Sequence, residues 1–310
     1  MRIAIAGGSG FVGTPLVREL LARGDDVAVL TRNPARVQVG RPVLWDGRTQ
    51  GDWSDEVAAA DAVVNLAGEN IAEGRWTRAR KQQLVGSRLD ATRAIVEALR
   101  SGPNRDRTLV NASAVGVYGD RGDELLDEDS PRGSGFLADL VVQWEAAARE
   151  ADSVARVVIL RFGIVLAADG GALRKMMMPF RFGAGGPIGN GRQWMSWIAR
   201  EDLIRMVMWA LDNDKASGVY DATAPEPVTN REFTQALGRA MHRPAVVPVP
   251  AIALRLALGQ MAEEALLAGQ RVVPRKARAE GFSFSAPTLE EALSAALSRQ
   301  DSTIRPTFSN

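Results

Sequence analysis

The chain opens with an apolar run at residues 3–6, followed by a glycine-rich segment and then by apolar residues at helical spacing. The residues that recur on one helix face are Leu16, Val17, Leu20 and Leu21. Gly24 ends this pattern, and residues 27–30 form a second apolar run. The order predicts a strand, a tight turn, a helix and a second buried strand.

The same alternation continues through the first half of the chain. Further strands are predicted at residues 41–45, 61–68, 109–114 and 156–163, and helices at 76–100 and 136–149. Strands that alternate with helices form a parallel sheet covered on both faces. The predicted fold class is therefore α/β, with a doubly wound parallel sheet of Rossmann type.

The alternation stops after the sixth predicted strand. Met176 to Pro179 lead into residues 183–191, which are too rich in glycine to be predicted as a helix. Helical patterns follow at 202–211, 231–241 and 251–267, and the tail after Gln300 is short and polar. We expect a nucleotide-binding domain over residues 1–225 and a smaller, mostly helical C-terminal lobe over residues 226–310.

The glycine-rich segment, GGSGFVG, begins directly after the first predicted strand. Gly7 and Gly8 suit a sharp turn, Gly10 a close backbone approach to a diphosphate, and Gly13 tight contact between helix and strand. The backbone N–H groups at the start of the helix would face the anion. The alternative is a glycine-rich turn with no ligand, but its position between strand and helix favours a dinucleotide site.

The residues after the second strand indicate which dinucleotide binds. NAD enzymes usually carry an acidic residue here for the ribose 2′-hydroxyl, whereas this chain has Thr31 and Arg32. A guanidinium can form paired, charge-assisted hydrogen bonds to a 2′-phosphate. The sequence therefore favours NADP(H) over NAD(H), the alternative being that Arg32 is a solvated loop charge.

Composition narrows the class of protein. The 310 residues are 46% hydrophobic and carry 38 Lys and Arg against 37 Asp and Glu, a balance that indicates neither a nucleic-acid nor a membrane partner. The chain has no Cys, and its single histidine, His242, is expected at the surface. A zinc site or a histidine-dependent triad is therefore not expected, and the predicted location is the cytoplasm.

Several segments together resemble a known family. These are GGSGFVG, TRNP, NLAGENIA, ASAVGVYGDRGDE, GFLADLVVQWE, LRFGIVLAADGGAL and GGPIGNGRQWMSWI, with GQRVVPRKARAEGFSF in the C-terminal part. They are similar to the atypical short-chain dehydrogenase/reductases called epimerase family proteins, related to nucleotide-sugar epimerases, whose C-terminal domain of unknown function is matched here by residues 249–297. The resemblance implies a Rossmann-type NADP-binding fold and an unknown substrate.

The resemblance also implies a set of cofactor-binding residues: Gly7, Gly10, Phe11, Val12, Gly13, Thr31, Arg32, Leu66, Ala67, Gln83, Arg88 and Val165. Arg88 is a plausible second cation near the phosphates, or a charge on the helix surface. Gln83 and Val165 rest on the resemblance alone.

Catalysis is where the chain departs from the wider superfamily, whose active members use a Tyr four residues before a Lys. The corresponding helix has Phe136 and Leu140 instead. Ser113 stands one residue from the position of the usual serine, which would turn its side chain to the other face of the strand. Tyr118 and Ser113 are the remaining catalytic candidates, and each is also readily explained by packing. Other polar residues weighed as replacements are Glu69, Asn70, Asp139 and Glu145.

Three functions agree with these observations. The first is an NADP(H)-dependent oxidoreductase acting on a small carbonyl or hydroxyl compound. The second is a binding protein that senses the NADP(H) pool, and the third, ranked last, is a nucleotide-sugar epimerase. Related folds often pair through the helices after strands four and five, which would make this protein a homodimer. A substrate pocket is predicted near residues 176–198, with walls from Met178, Trp194, Met195 and Trp197.

Overall fold

The computed structural model describes residues 1–103 and 106–304, with side chains to residue 298. Its strands are β1 Arg2–Ala6, β2 Asp26–Thr31, β3 Arg41–Leu44, β4 Ala62–Asn65, β5 Thr108–Ala114, β6 Leu125–Leu126, β7 Arg156–Phe162, β8 Ile164–Leu166, β9 Trp194–Met195, β10 Trp197–Ala199, β11 Gly218–Ala222, β12 Val228–Thr229 and β13 Arg271–Val272.

The α-helices are α1 Gly13–Ala22, α2 Trp53–Ala59, α3 Arg78–Ser101, α4 Phe136–Arg149, α5 Gly171–Arg181, α6 Arg200–Asp212, α7 Asn230–Ala240, α8 Ala251–Leu258, α9 Gln260–Ala262, α10 Arg275–Ala279 and α11 Leu289–Ile304. Short 3-10 helices span Pro34–Arg36 and Val115–Tyr118, and a π-helical turn spans Glu263–Leu267. None of the helices in the described ranges combines the length and the apolar character needed to cross a membrane.

The principal sheet has seven strands in the order β11-β7-β5-β4-β1-β2-β3. The order reverses at β1, which pairs in parallel with β2 on one side and with β4 on the other. Ala6 lies in register with Leu30 and with Asn65, so the residues after these strands emerge at one edge of the sheet. Ligands of open α/β sheets bind at this carboxyl edge. The predicted Rossmann-type fold is confirmed.

The chain divides into two compact units. The first comprises Met1–Val117, Phe136–Arg161 and Ile204–Tyr220, and the second comprises Tyr118–Gly135, Phe162–Leu203 and the chain from Asp221 onward. Each unit has its own apolar core. The predicted domain boundary at residue 225 stays a prediction.

The central strands of the first unit are buried on both faces, which explains their apolar runs. Helix α1 buries Leu16, Val17 and Leu20, whereas Leu21 is 39% exposed. The prediction that Leu21 shares the buried face is therefore wrong, because the buried face of α1 includes Leu16, Val17 and Leu20 but does not extend to Leu21. Helix α2 was not predicted from the sequence. Its Trp53 packs edge-on against Trp45, with 5.3 Å between the ring centroids.

The second unit differs more from its sequence prediction. Helix α5 occupies Gly171–Arg181 and includes Pro179, where only an approach to the glycine loop was expected. The helix expected over 251–267 is interrupted at Gly259, whose φ of +60° ends α8 before α9 and the π-helical turn begin. Helix α11 supplies Leu289 and Leu293 to the core formed with Trp197, Phe233 and other residues. The polar tail after Gln300 is expected to fray, but residues 301–304 continue α11, and the rest of the tail lies outside the described residues.

Candidate nucleotide-binding site

The turn after β1 is held in a conformation that only glycine fits well. Gly7 has a φ of +78°, and a Cβ there would lie 2.8 Å from the carbonyl carbon and oxygen of Leu66. The Gly10 N–H donates to the Gly7 carbonyl at 3.0 Å. A Cβ on Gly13, the first residue of α1, would lie 2.2 Å from the same carbonyl oxygen. The turn therefore lies directly against the backbone that follows β4.

A buried polar network fixes the segment after β4. Leu66 N–H donates to the Ala6 carbonyl at 2.9 Å, and Ala67 N–H donates to Asn65 Oδ1 at 3.1 Å. Asn65 Nδ2 donates to Asn111 Oδ1 at 2.7 Å and to Thr92 Oγ1 at 2.9 Å. Because buried polar groups need partners, this network connects β4, β5 and α3 and sets the position of Leu66 and Ala67 beside Gly7.

The segment after β2 presents Arg32 to solvent. Thr31 is buried, and its hydroxyl is engaged locally, since Oγ1 accepts from Asn33 N–H at 3.1 Å and lies 3.2 Å from the Asn33 carbonyl. The Arg32 side chain is 73% exposed, and its Nη2 lies 3.3 Å from Glu69 Oε1. The structure thus brings Arg32 beside the segment after β4, at the edge where Gly7 and Leu66 lie.

Glu69 is shared between two arginines. Its Oε2 lies 3.6 Å from Arg80 Nη1, which also donates to Gln83 Oε1 at 3.3 Å. Exposed ion pairs contribute about 0 to 1 kcal/mol, so Arg32 can exchange Glu69 for another anion at little cost. Gln83 is therefore connected to Arg32 through Arg80 and Glu69. No sequence pattern distinguishes Arg80 from the other basic residues at the start of α3.

Arg88 is half-buried, in contrast to a solvated helix charge. Its Nη2 donates to the Glu69 carbonyl at 2.9 Å and its Nη1 to the Leu84 carbonyl at 3.1 Å. The guanidinium carbon lies 5.2 Å from the centroid of the Trp144 ring, which adds a cation–π contact. Burial lowers the pKa of Arg88 to about 10, so the side chain stays cationic at neutral pH. Arg88 holds the Glu69 backbone and adds a positive charge behind it.

An open cavity adjoins Arg32. Its volume is about 830 Å³, and it is lined by the end of β3, the segment that follows and the start of α2. The lining includes Arg32, Leu44, Trp45, Asp46 and Trp53. Hydrogen bonds from Thr49 and from backbone N–H groups lower the pKa of Asp46 to about 2. Aromatic walls and polar groups of this kind suit a small ligand.

The remaining predicted cofactor residues lie in both units. Phe11 and Val12 are half-buried in the turn before α1. Val165 belongs to the second unit, where β8 pairs in parallel with β10 and places Val165 opposite Ile198. Its predicted role in cofactor binding stays a prediction.

Tyr118 is fully buried in the second unit. Its hydroxyl lies 2.8 and 3.0 Å from the two carboxylate oxygens of Asp221, and 2.9 Å from the Asp127 carbonyl. A phenol in this position connects the segment before β6 to β11. The geometry supports a structural role for Tyr118, the alternative to catalysis that its sequence context also allowed.

Ser113 is buried in the first unit and faces α4. Its Oγ donates to Glu145 Oε1 at 2.7 Å. Arg161 also donates to Glu145, from Nε to Oε1 at 2.7 Å and from Nη2 to Oε2 at 2.9 Å. All three residues are buried. A buried carboxylate in a bidentate ion pair needs its remaining hydrogen-bonding capacity satisfied, and Ser113 supplies that hydrogen bond.

An aromatic and cationic cluster lies where active members of the wider superfamily carry the catalytic tyrosine. Phe136 begins α4, and its ring lies 5.2 Å from that of Trp76 and 5.0 Å from Lys81 Nζ. Leu140, at the position expected for a lysine, is buried. Lys81, which the sequence interpretation did not single out, thus supplies a cation from α3 beside Phe136.

The walls expected for a substrate pocket lie in different environments. Trp197 is fully buried and Met195 is 6% exposed, so both belong to the core of the second unit. Met178 is 45% exposed on α5. The prediction of Trp197 and Met195 as pocket walls is wrong because the short strands β9 and β10 turn them inward. Trp194 is half-buried and stays available as a wall.

Comparison with known proteins assigns the chain to a family. Residues 3–222 match the NAD dependent epimerase/dehydratase family, and residues 249–296 match a domain of unknown function, DUF1731. The chain belongs to the epimerase/dehydratase family. The resemblance inferred from the sequence motifs is thereby confirmed.

Relatives of known sequence or structure extend this assignment over nearly the whole chain. An epimerase family protein of Mycobacterium bovis is 43% identical over 299 residues, which is 96% of this chain and 98% of the relative. The crystal structure of human epimerase family protein SDR39U1 with NADPH is 38% identical, with a TM-score of 0.87 over 96% of this chain and 99% of that one. A nucleoside-diphosphate sugar epimerase from Corynebacterium glutamicum is 31% identical, with a TM-score of 0.75 over 95% of this chain and 57% of that one.

Proposed function

We propose that this family member is an NADP(H)-dependent oxidoreductase acting on a small carbonyl or hydroxyl compound. The observation that carries the proposal is the exposed guanidinium of Arg32 at the end of β2, beside the glycine turn. Thr31 stands where an NAD enzyme usually has an acidic residue. The human relative crystallised with NADPH supports the same cofactor.

The residues of this chain fit the cofactor in three places. A Cβ on Gly7 or Gly13 would strike the protein's own backbone, so these glycines allow the tight turn that opens α1, whose first backbone N–H groups would face a diphosphate. Arg32 would release Glu69 and bind the 2′-phosphate instead. The cavity next to Arg32 would hold the adenosine. Bound NADPH would supply a hydride, while Arg88 adds positive charge to the site and holds the Glu69 backbone.

A second function is favoured by the state of the catalytic candidates. Tyr118 and Ser113 are buried and hydrogen-bonded to carboxylates, and α4 begins with Phe136. A protein that binds NADP(H) and responds to its level needs no proton donor. A nucleotide-sugar epimerase ranks last, since epimerisation through a transient keto sugar needs a tyrosine that transfers a proton.

Two measurements on the full chain separate these functions. Calorimetry with NADPH should give a single saturating site, and mixing the complex with a panel of ketones and aldehydes should lower the absorbance of the reduced nicotinamide if the protein is a reductase. Tight binding with no loss of absorbance would favour the sensor. Failure to bind NADPH would refute both proposals. The cytoplasmic location and a homodimer paired through α3 and α4 stay predictions.

A further inference from the structure

Arg271 is an arginine of the second unit whose hydrogen-bonding groups are not matched by the protein. It begins β13, and its guanidinium carbon lies 4.3 Å from the centroid of the Trp194 ring. Its Nε is buried without a hydrogen-bond partner. Within the described ranges, the guanidinium has no hydrogen bond and no carboxylate within 4.0 Å.

Other arginines with a buried, unmatched Nε differ in this respect. Arg80 pairs with Glu69 and Glu73, and Arg200 pairs with Asp169 at 2.7 Å. On the same segment as Arg271, Arg275 is paired with Asp127 and with Asp129. These cations are neutralised within the protein, whereas Arg271 has only the face of an aromatic ring.

The ring contact does not use the N–H donors of Arg271. A cation–π contact uses the flat face of the guanidinium, while its five N–H donors point outward in the guanidinium plane. Removing an arginine from water without acceptors costs free energy, so a half-buried guanidinium in this state is suited to an incoming anion. A planar carboxylate or a phosphate matches the fork of donors.

Trp194 is held firmly as the platform for this guanidinium. Its Nε1 donates to Asp123 Oδ1 at 2.7 Å, and its carbonyl accepts from Gln270 N–H at 3.3 Å. A Cβ on Gly269 would lie 3.0 Å from the Trp194 nitrogen, so these two segments pack backbone to backbone. The Asp123 carboxylate accepts this hydrogen bond from the indole and forms no ion pair with Arg271.

We propose that Arg271, stacked on Trp194, binds an oxyanion group, either a phosphate or a carboxylate. The anion would belong to the substrate, an assignment that rests on the proposed oxidoreductase function. The substrate class is then a small anionic metabolite. The binding site itself lies within the second unit and does not depend on cofactor binding.

The test is calorimetry on the full-length protein at constant ionic strength, without nucleotide, using inorganic pyrophosphate, inorganic phosphate and malonate as separate probes. We expect saturable binding of at least one probe at a site that depends on Arg271 and is separate from the phosphate-binding groups proposed in the first unit, and the preferred probe shows whether a phosphate or a carboxylate is recognised. Arg271→Met should weaken it about tenfold or more, as expected for lost charge-assisted hydrogen bonds. Arg271→Lys, which keeps the charge and loses the fork, should weaken it less.

Arg275→Met is the matched control, because it removes an exposed arginine of the same segment that is already paired. Its affinity for the probe should stay within about twofold of wild type. Absence of saturable binding, equal loss in the two variants, or no loss in Arg271→Met would overturn the proposal and mark an adventitious ion only. Arg271→Lys serves if Arg271→Met does not fold. NADPH affinity, measured separately, reports on the proposed function alone.

Discussion

Two glycine-rich segments of this protein have similar composition and different structural roles. Residues 7–13 approach the backbone after β4 and open a helix. Residues 183–191 pack against their own unit, where a Cβ on Gly186 would lie 1.8 Å from the Val247 carbonyl oxygen and one on Gly185 would lie 2.4 Å from the Phe180 ring. Single bridges also connect Gly185 to Ala245 and Ile188 to Val249.

The difference shows what glycine in a sequence indicates. Glycine indicates that another group comes close to the backbone, but it does not identify that group. The strand, turn and helix predicted at the first segment are confirmed, because the strand before it and the helix after it fix its geometry. The second segment has no such flanking pattern. Its Gly185 and Gly186 allow close packing against Phe180 and Val247.

The largest effect is expected at Trp197, in the core of the second unit. Replacing it with Ala removes a fully buried ring and the hydrogen bond from Nε1 to the Glu226 carbonyl. We expect about 3 to 5 kcal/mol lower free energy of unfolding, measured in urea, with NADPH affinity unchanged in the folded protein. Trp194→Ala, on a half-buried side chain, should cost less. A small loss at Trp197 would contradict its place in the core.

The two glycine segments can be compared directly by Gly186→Ala and Gly13→Ala. Both substitutions place a Cβ too close to a backbone carbonyl, and both should cost about 1 to 3 kcal/mol of stability. Only Gly13→Ala should also weaken NADPH, because it displaces the turn that faces the cofactor in our proposal. Urea titration measures the loss of stability in both variants, and calorimetry on the folded proteins measures their affinity for NADPH. Weaker NADPH binding by Gly186→Ala would show that the second segment acts on the cofactor site.

A smaller effect is expected from Phe136→Tyr. The new phenol would lie near Lys81, whose Nζ is 5.0 Å from the centroid of the present ring. A nearby cation favours the phenolate, so the phenol pKa should fall by on the order of one unit, with the fraction of phenolate rising as the pH rises through this lowered value. Ultraviolet titration against wild type measures it.

Leu140→Lys is the contrasting variant, because Leu140 is buried and a lysine there would be desolvated. It should destabilise the protein, and in combination with Phe136→Tyr it should not lower the phenol pKa further, because a desolvated lysine gives up its proton below the pH at which the phenol titrates. An unshifted phenol pKa in Phe136→Tyr would mean that Lys81 is directed elsewhere.

Much of the first unit could be predicted from the sequence because its signals are local. Buried parallel strands give apolar runs, and α4 was predicted with the bounds that the structure has, Phe136–Arg149. The residues at the carboxyl edge follow from strand order, which brings Gly7, Arg32 and Leu66 to one edge. Helix α2 was missed because its seven residues give little periodicity.

The parts that could not be predicted depend on long-range contacts. The pairing of Arg32 with Glu69 and of Ser113 with Glu145 joins elements that are 37 and 32 residues apart. The orientation of Trp194 and Trp197 depends on β9 and β10, which are too short to show an alternating pattern. Arg271 lies in a segment that the family resemblance included, but nothing in its neighbours along the chain marks it as unpaired.

The central claim is that Arg32 selects NADP(H), and Arg32→Ala tests it most directly. Calorimetry should show NADPH weakened about tenfold to a hundredfold, the loss of about 1.5 to 3 kcal/mol expected for hydrogen bonds to a charged group, with NADH nearly unchanged. Arg18→Ala, which removes another exposed arginine from α1, should leave both affinities unchanged. Equal weakening of NADPH and NADH in Arg32→Ala would contradict the 2′-phosphate assignment.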